Sequence, residues 1–278
     1  MTKAKLALSA ILLAAFLLRA VSIANYPAGF SADEANQGYT AYSILKTGRD
    51  EWGELLPLAP RSFGDYRAPL YTYLIIPSVA IFGLNEFSTR FPNALLGSLA
   101  VLVLYLLVRE LFAGKTSELS VLSGKRIALF SSLLLAISPW HIQLSRGALE
   151  SNLPSLFIPL GWWLFQKSLA KHRLMSLSSL AFGLGLFSYY AARFIIPIFV
   201  LFLIFKSRKE FKPLLYYKWA ILIFSIFMFL AAISQLRGGS TRASDVAIFN
   251  PTDNWNSVSN RRYEAVLQEL PDPLARLF

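Results

Sequence analysis

The sequence predicts an all-α integral membrane protein, with about seven transmembrane helices and juxtamembrane helices in the first outer loop. Three observations carry that prediction: scarce charge, apolar residues gathered in blocks, and positive charges concentrated in alternate loops. Of 278 residues, 55% are hydrophobic and 15% charged, and the mean hydropathy is +0.49. Soluble domains average about 45–50% apolar and about 25% charged residues, so the shortage of charge excludes the soluble class. The apolar blocks at 6–18, 94–108, 127–137, 194–205 and 219–233 approach the ~20 residues that cross a ~30 Å hydrocarbon core.

Backbone groups in lipid must be satisfied within the segment, so each block reads as a helix. The spacing predicts spans at 6–24, 93–112, 127–144, 153–166, 174–190, 194–205 and 213–234. With the N-terminus cytoplasmic, the inner segments 1–5, 109–126, 167–173 and 206–212 hold 13 Lys and Arg in 37 residues. The outer segments 25–92, 145–152, 191–193 and 235–278 hold 12 in 123. That asymmetry is the positive-inside bias. It also accounts for the net charge of +11 without nucleic acid.

The apolar block 69–84 breaks the alternation. Pro69 and Pro77 interrupt it, and a crossing there would invert every later loop. It is read as a juxtamembrane or re-entrant helix on the outer side. The first 24 residues also have a signal-peptide outline, against which Arg19 and Val21 stand near the cleavage-like end. The chain thus divides into a membrane domain, 1–234, with the outer loop 25–92 inside it, and an outer segment, 235–278. That last segment reads as a loop leading to further chain.

The absence of cysteine excludes disulfides, thiolate metal sites and a thiol nucleophile. No P-loop, HExxH, GxSxG or CxxC occurs. Gly183 and Gly185 lie inside a span, where small residues permit close helix packing.

The outer loop carries the chemistry. Ser31 with Glu34 three residues on forms a capping box that opens a helix to about Lys46, ending at Thr47-Gly48. Asp33 gains some stability from the positive helix end but is not needed by the cap. Arg19, Arg67, Arg90, His141, Arg146, Glu150, Tyr189, Tyr190 and Arg193 fall on the same face. Each has a plain explanation: Arg19 and Arg193 as snorkelling side chains, Trp140 and the tyrosines as aromatic belt, Arg146–Glu150 as an i,i+4 pair. Together they suit an anionic lipid headgroup, with a carboxylate as general base and arginines on a phosphate.

The order of motifs resembles a known family. It runs from a first span ending in Arg19 through Pro27-x-Gly29-Phe30-x-x-Asp33-Glu34-Ala35, Gly38-Tyr39, Thr47-Gly48 and Asp50. Gly64-Asp65-Tyr66-Arg67-Ala68-Pro69-Leu70-Tyr71, Phe82-Gly83, Arg90-Phe91-Pro92 and Ser138-Pro139-Trp140-His141 follow, with Ser145-Arg146 and Glu150. This is similar to the GT-C membrane glycosyltransferases of the protein O-mannosyltransferase and aminoarabinose-transferase type, over residues 1 to about 235. The resemblance implies inverting transfer of a sugar from a polyprenyl-phosphate carrier to a glycan, lipid or protein acceptor on the outer face of the cell membrane. It implies Asp33 as base, Glu34 as a support for it or for the substrate, Arg67 and Arg90 on the lipid phosphate or bracing the loop, and His141, Arg146 and Glu150 on the acceptor side. No metal and no cofactor beyond the lipid-linked sugar are expected. The other readings are a transporter or flippase of such a lipid, which would show related halves, and a non-catalytic membrane subunit in which Asp33-Glu34 only caps a helix.

Overall fold

A computed structural model describes residues 3–62, 65–112, 118–210 and 214–236. The outer segment 235–278 lies outside them except for Gln235 and Leu236. Ten α-helices form among the described residues. In chain order they are α1 (Lys3–Ala20), α2 (Ala32–Thr47), α3 (Leu70–Phe82), α4 (Glu86–Phe112) and α5 (Glu118–Ile137). Then come α6 (Pro139–Arg146), α7 (Pro154–Ala170), α8 (Leu174–Leu186), α9 (Ala192–Ser207) and α10 (Lys218–Ser234). Two short strands, β1 (Arg61–Ser62) and β2 (Asp65–Tyr66), pair antiparallel in the first loop.

Helices stand at all seven predicted span positions, but their lengths do not carry the seven-span expectation. Among the described residues α4 alone is long and apolar enough to cross a bilayer, and the bent pair α5–α6 adds a second if taken as one span. The thirteen residues of α8 rise only about 20 Å against a ~30 Å core. The block 69–84 forms α3, equally short, lying against α2 and α4.

The expected third span, 127–144, is corrected: it breaks at Ser138-Pro139 into α5 and α6, bent by 57°. Pro139 has no N–H for the carbonyl of Leu135, and its ring clashes with that turn. Arg19 replaces the missing donor. Its Nη2 donates to Leu135 O (3.1 Å) and its Nη1 to Ala136 O (3.0 Å) and Ala15 O (2.9 Å). Arg19 is fully buried, so it caps the kink rather than snorkelling; a cation at a helix C-terminus also opposes the helix dipole.

α4 is the centre of the bundle, packing against α1, α3, α5, α6 and α7. Small residues make that possible. A Cβ at Gly97 would stand 2.4 Å from the Ser145 Cβ of α6. Gly97→Ala is therefore expected to push α6 from α4 and cost about 1–3 kcal/mol, read as a lower unfolding midpoint in detergent. Gly183 and Gly185 play the packing role their sequence context implied. A Cβ at Gly183 would meet the Phe227 ring at 2.5 Å, and one at Gly185 would meet Ile196 at 2.6 Å.

Four bonds gather one set of helix ends beside the first loop. Leu70 N donates to Phe187 O (3.1 Å), and Ser234 Oγ donates to Leu58 O (2.6 Å). Arg193 donates to Ser234 Oγ (2.8 Å) and Gln235 Oε1 (2.6 Å). Arg193, expected to snorkel, is instead a buried clamp between α9 and α10. The start of α9 and the ends of α8 and α10 thus lie at the loop's end of the bundle.

Candidate active site

The site is built on the first turn of α2. Ser31 is its N-cap and closes the predicted capping box with Glu34. Gly48 ends the helix in the left-handed region, φ +72°, donating to Ile44 O (2.8 Å), where glycine carries no Cβ penalty.

Glu34 does more than cap. Arg90, reaching from α4, donates through Nε to Oε1 (2.7 Å) and through Nη2 to Oε2 (2.8 Å). The Ala148 N–H adds a bond to Oε1 (2.9 Å), and the Ser31 N–H one to Oε2 (3.1 Å). Burial alone would push this carboxyl up. The Arg90 bonds, the Ala148 and Ser31 N–H groups and the Arg90 charge together outweigh it and hold Glu34 below the ordinary value of 4.5. A depressed carboxylate contributes stability that is present above its unfolded value and lost as pH falls through the folded one. The α2 amides are therefore expected to lose hydrogen-exchange protection only below about pH 4.5, and Glu34→Gln is expected to abolish that acid dependence.

The remaining Arg90 hydrogens are also engaged. Nη1 donates to Ile23 O (3.1 Å), Ala24 O (3.3 Å) and Pro27 O (3.0 Å), and Nη2 to Gly29 O (2.5 Å). Arg90 is fully buried. Of the two roles expected for it, phosphate ligand or loop brace, this geometry supports the brace.

Asp33 has the opposite character. Arg67 donates to its backbone carbonyl (3.1 Å) and forms an ion pair with Oδ1. Arg67 is 8% exposed and Asp33 63%. The carboxylate is thus anchored from behind by a buried guanidinium and open in front. Adjacent acids on one helical turn are separated by environment: one saturated, one available.

Further along α2, Asn36 Nδ2 and Thr40 Oγ1 each donate to Glu51 Oε1 (2.9 Å). Burial pushes the Glu51 carboxyl up. Asp50 Oδ1 accepts from the backbone N–H groups of Trp52 (3.0 Å) and Glu54 (2.8 Å), forming the turn after Gly48. Sequence reasoning named neither Asn36, Thr40 nor Glu51; the i, i+4 spacing of Asn36 and Thr40 on one helical face was the available signal. Among the described residues no three His, Cys, Asp or Glu stand close enough to hold a metal ion.

The opposite wall comes from α6 and the turn after it. Arg19 Nη2 donates to His141 Nδ1 (2.8 Å), and His141 Nε2 lies 3.1 Å from Ser155 Oγ. Ser155 Oγ donates to Asn152 O (2.6 Å). An Nδ1 that accepts leaves the proton on Nε2, so the network assigns a neutral imidazole with one tautomer. His141 is fully buried and links α1, α6 and α7. Arg146 turns to the end of α1, donating to Leu18 O (2.8 Å), Val21 O (2.9 Å) and Tyr26 O (2.9 Å). Glu150 accepts from Gln37 Nε2 of α2 (2.9 Å).

The Arg146–Glu150 pair considered from sequence does not form. α6 ends at Arg146 and Gly147 is extended, φ −85° and ψ 164°, so the two residues never share a helical face. Arg146 and His141 engage protein acceptors, while Glu150 holds α2 through Gln37. Sequence reasoning also missed Asn93, whose Nδ2 donates to Leu144 O (2.9 Å), Gly147 O (2.6 Å) and Leu149 O (3.1 Å). Those bonds fix the turn that presents the Ala148 N–H to Glu34.

An apolar helical bundle thus holds an open aspartate at one end, beside a saturated glutamate–arginine pair. Comparison with known proteins gives the chain a family. The family model described as dolichyl-phosphate-mannose-protein mannosyltransferase matches residues 66–232, and the chain belongs to that family. An uncharacterized protein of Aquifex aeolicus (strain VF5) is 29% identical over 206 residues, covering 72% of this chain and 38% of that relative. The Bacillus subtilis (strain 168) protein with the name "Putative mannosyltransferase YkcB" is 29% identical over 170 residues, covering 60% of this chain and 22% of its own length. The chain therefore spans well under half the length of these relatives.

Proposed function

We infer that the protein is a membrane glycosyltransferase, moving a sugar from a polyprenyl-phosphate carrier to a hydroxyl acceptor on the outer face of the cell membrane. The observation that carries this reading is Asp33: anchored by Arg67, 63% exposed, and seated at the positive end of α2. Asp33 accepts the proton of the acceptor hydroxyl as that oxygen attacks the anomeric carbon. The bond from that carbon to the phosphate oxygen breaks, and the electron pair leaves with the polyprenyl phosphate. One displacement inverts the anomeric centre. Arg67 and the N-terminal turn of α2 supply positive charge for the departing phosphate. Glu34 and Arg90 keep that turn rigid, and His141, Arg146 and Glu150 hold the facing wall.

The multi-pass arrangement, with the first loop outside and the cation-rich turns in the cytoplasm, belongs to this same reading. It is supported by the alternation of charge along the sequence and by the gathering of helix ends beside the loop. The test supplies membranes containing the full-length protein with labelled polyprenyl-phosphate sugars or nucleotide sugars, scoring transfer and donor hydrolysis. Turnover of a polyprenyl-phosphate sugar is expected. Turnover of nucleotide sugars alone, after the lipid carrier pool has been removed, would overturn the donor assignment.

A further inference from the structure

At the end of the bundle away from Asp33, α7, α8, α9 and α10 enclose a cavity of ≈ 240 Å³. Phe165, Met175, Phe182 and Ala220 form a buried floor. Ile204 on α9 and Ile221 on α10, 43% and 45% exposed, flank its mouth. Helix packing explains the opening. α10 lies closely along α8 and α9 also touches α8, whereas α9 and α10 make little contact with each other. The gap between them is backed by α8, with Phe165 of α7 beneath it. It is larger than the engineered apolar cavity of about 150 Å³ that stays dry and takes up benzene. A lining without partner atoms forfeits dispersion contacts that a hydrocarbon chain restores.

The rim has a second character. Lys171 and Arg173 stand on the α7–α8 turn, Lys206, Arg208 and Lys209 at the end of α9, and Lys218 at the start of α10, all exposed. Glu210 is the sole acid on those three stretches. Basic pockets between membrane helices on the cytoplasmic side suit lipid phosphates.

We propose that this cavity binds one acyl chain of an anionic phospholipid, with the lipid's phosphate held by the cations at its rim. The site rests on the membrane reading above and is independent of the chemistry at Asp33, so the two fail separately. An apolar cleft that opens into a bilayer meets acyl chains at high concentration, and the cationic rim selects among headgroups.

The experiment is native mass spectrometry of the full-length protein released from detergent, with phosphatidylglycerol or phosphatidylcholine added at matched concentration. Wild type is expected to retain one phosphatidylglycerol in preference to phosphatidylcholine. Ser179→Trp, which places a ring in the cavity, is expected to remove that adduct. Lys206→Glu with Arg208→Glu, on exposed positions that leave the core untouched, is expected to weaken it by at least about tenfold. Equal retention of both lipids would overturn the proposal, as would an adduct unchanged by the two charge reversals. A tighter adduct with undecaprenyl phosphate than with phosphatidylglycerol, or a lipid-free dimer that Ser179→Trp dissociates, would overturn it in favour of another occupant.

Discussion

Arg90→Ala is expected to lower the unfolding free energy by about 3–5 kcal/mol, the cost of leaving a buried charge without its partner. Glu34 would keep the Ala148 and Ser31 N–H bonds but lose both donors of the guanidinium. Four backbone carbonyls, of Ile23, Ala24, Pro27 and Gly29, would lose theirs as well. Arg90→Lys is expected to recover only a small part, because an ammonium cannot meet two carboxylate oxygens and four carbonyls from one point. Arg90→Met combined with Glu34→Gln is expected to be less damaging than Arg90→Ala alone, since no buried charge is then unpaired.

The measurements are the unfolding midpoint in detergent and protease cleavage of the 21–31 segment. They also separate a brace from a phosphate ligand. A brace loses folded protein at an unchanged donor KM; a ligand stays folded and raises that KM. An Arg90→Ala protein with a wild-type midpoint and a higher donor KM would return Arg90 to the phosphate.

How much of this was legible follows the range of each interaction. The start and end of α2, the cap at Ser31 and the role of Glu34 in it depend on neighbours within a turn, and the residue types announce them. Pro139 announces the break in α5–α6 in the same local way, although a continuous span was read across it because the apolar run continues. The partner of Glu34 lies 56 residues away and that of Arg19 lies 117 and 122 residues away. No spacing rule reaches those distances, and an arginine at a helix end looks the same whether it snorkels, binds phosphate or caps a kink. Asn93 and Gln37 gave less signal still. Asn93 opens an apolar run and Gln37 follows Asn36 in a polar one; an amide is ordinary in either place, and only folding reveals that each ties two elements together. The Arg146–Glu150 reading failed for a specific reason: i,i+4 spacing places side chains together only when the helix continues, and Gly147 ends it.

Asp33→Asn is expected to reduce sugar transfer by about 10²–10⁴-fold, the usual contribution of a positioned general base, while the unfolding midpoint stays near that of wild type. The amide is isosteric, its Oδ1 still accepts from Arg67, and the Ser31–Glu34 box does not involve this side chain. An ion pair with one member 63% exposed is worth little to stability. Donor KM should change far less than kcat, because the base acts on the acceptor proton and not on the carrier. Asp33→Glu should fall between, since an extra methylene displaces the carboxylate from a hydroxyl it must approach within about 2.6–3.2 Å. Glu34→Gln offers the contrast one residue away: it should loosen α2 and lower the midpoint, with activity falling as folded protein is lost. Two neighbouring carboxyls thus predict opposite signatures, one kinetic and one structural. Transfer retained by Asp33→Asn at wild-type rate would leave Asp33 as a charge at a helix N-terminus, and the search for the base would then move to Glu51, held beside α2 by Asn36 and Thr40.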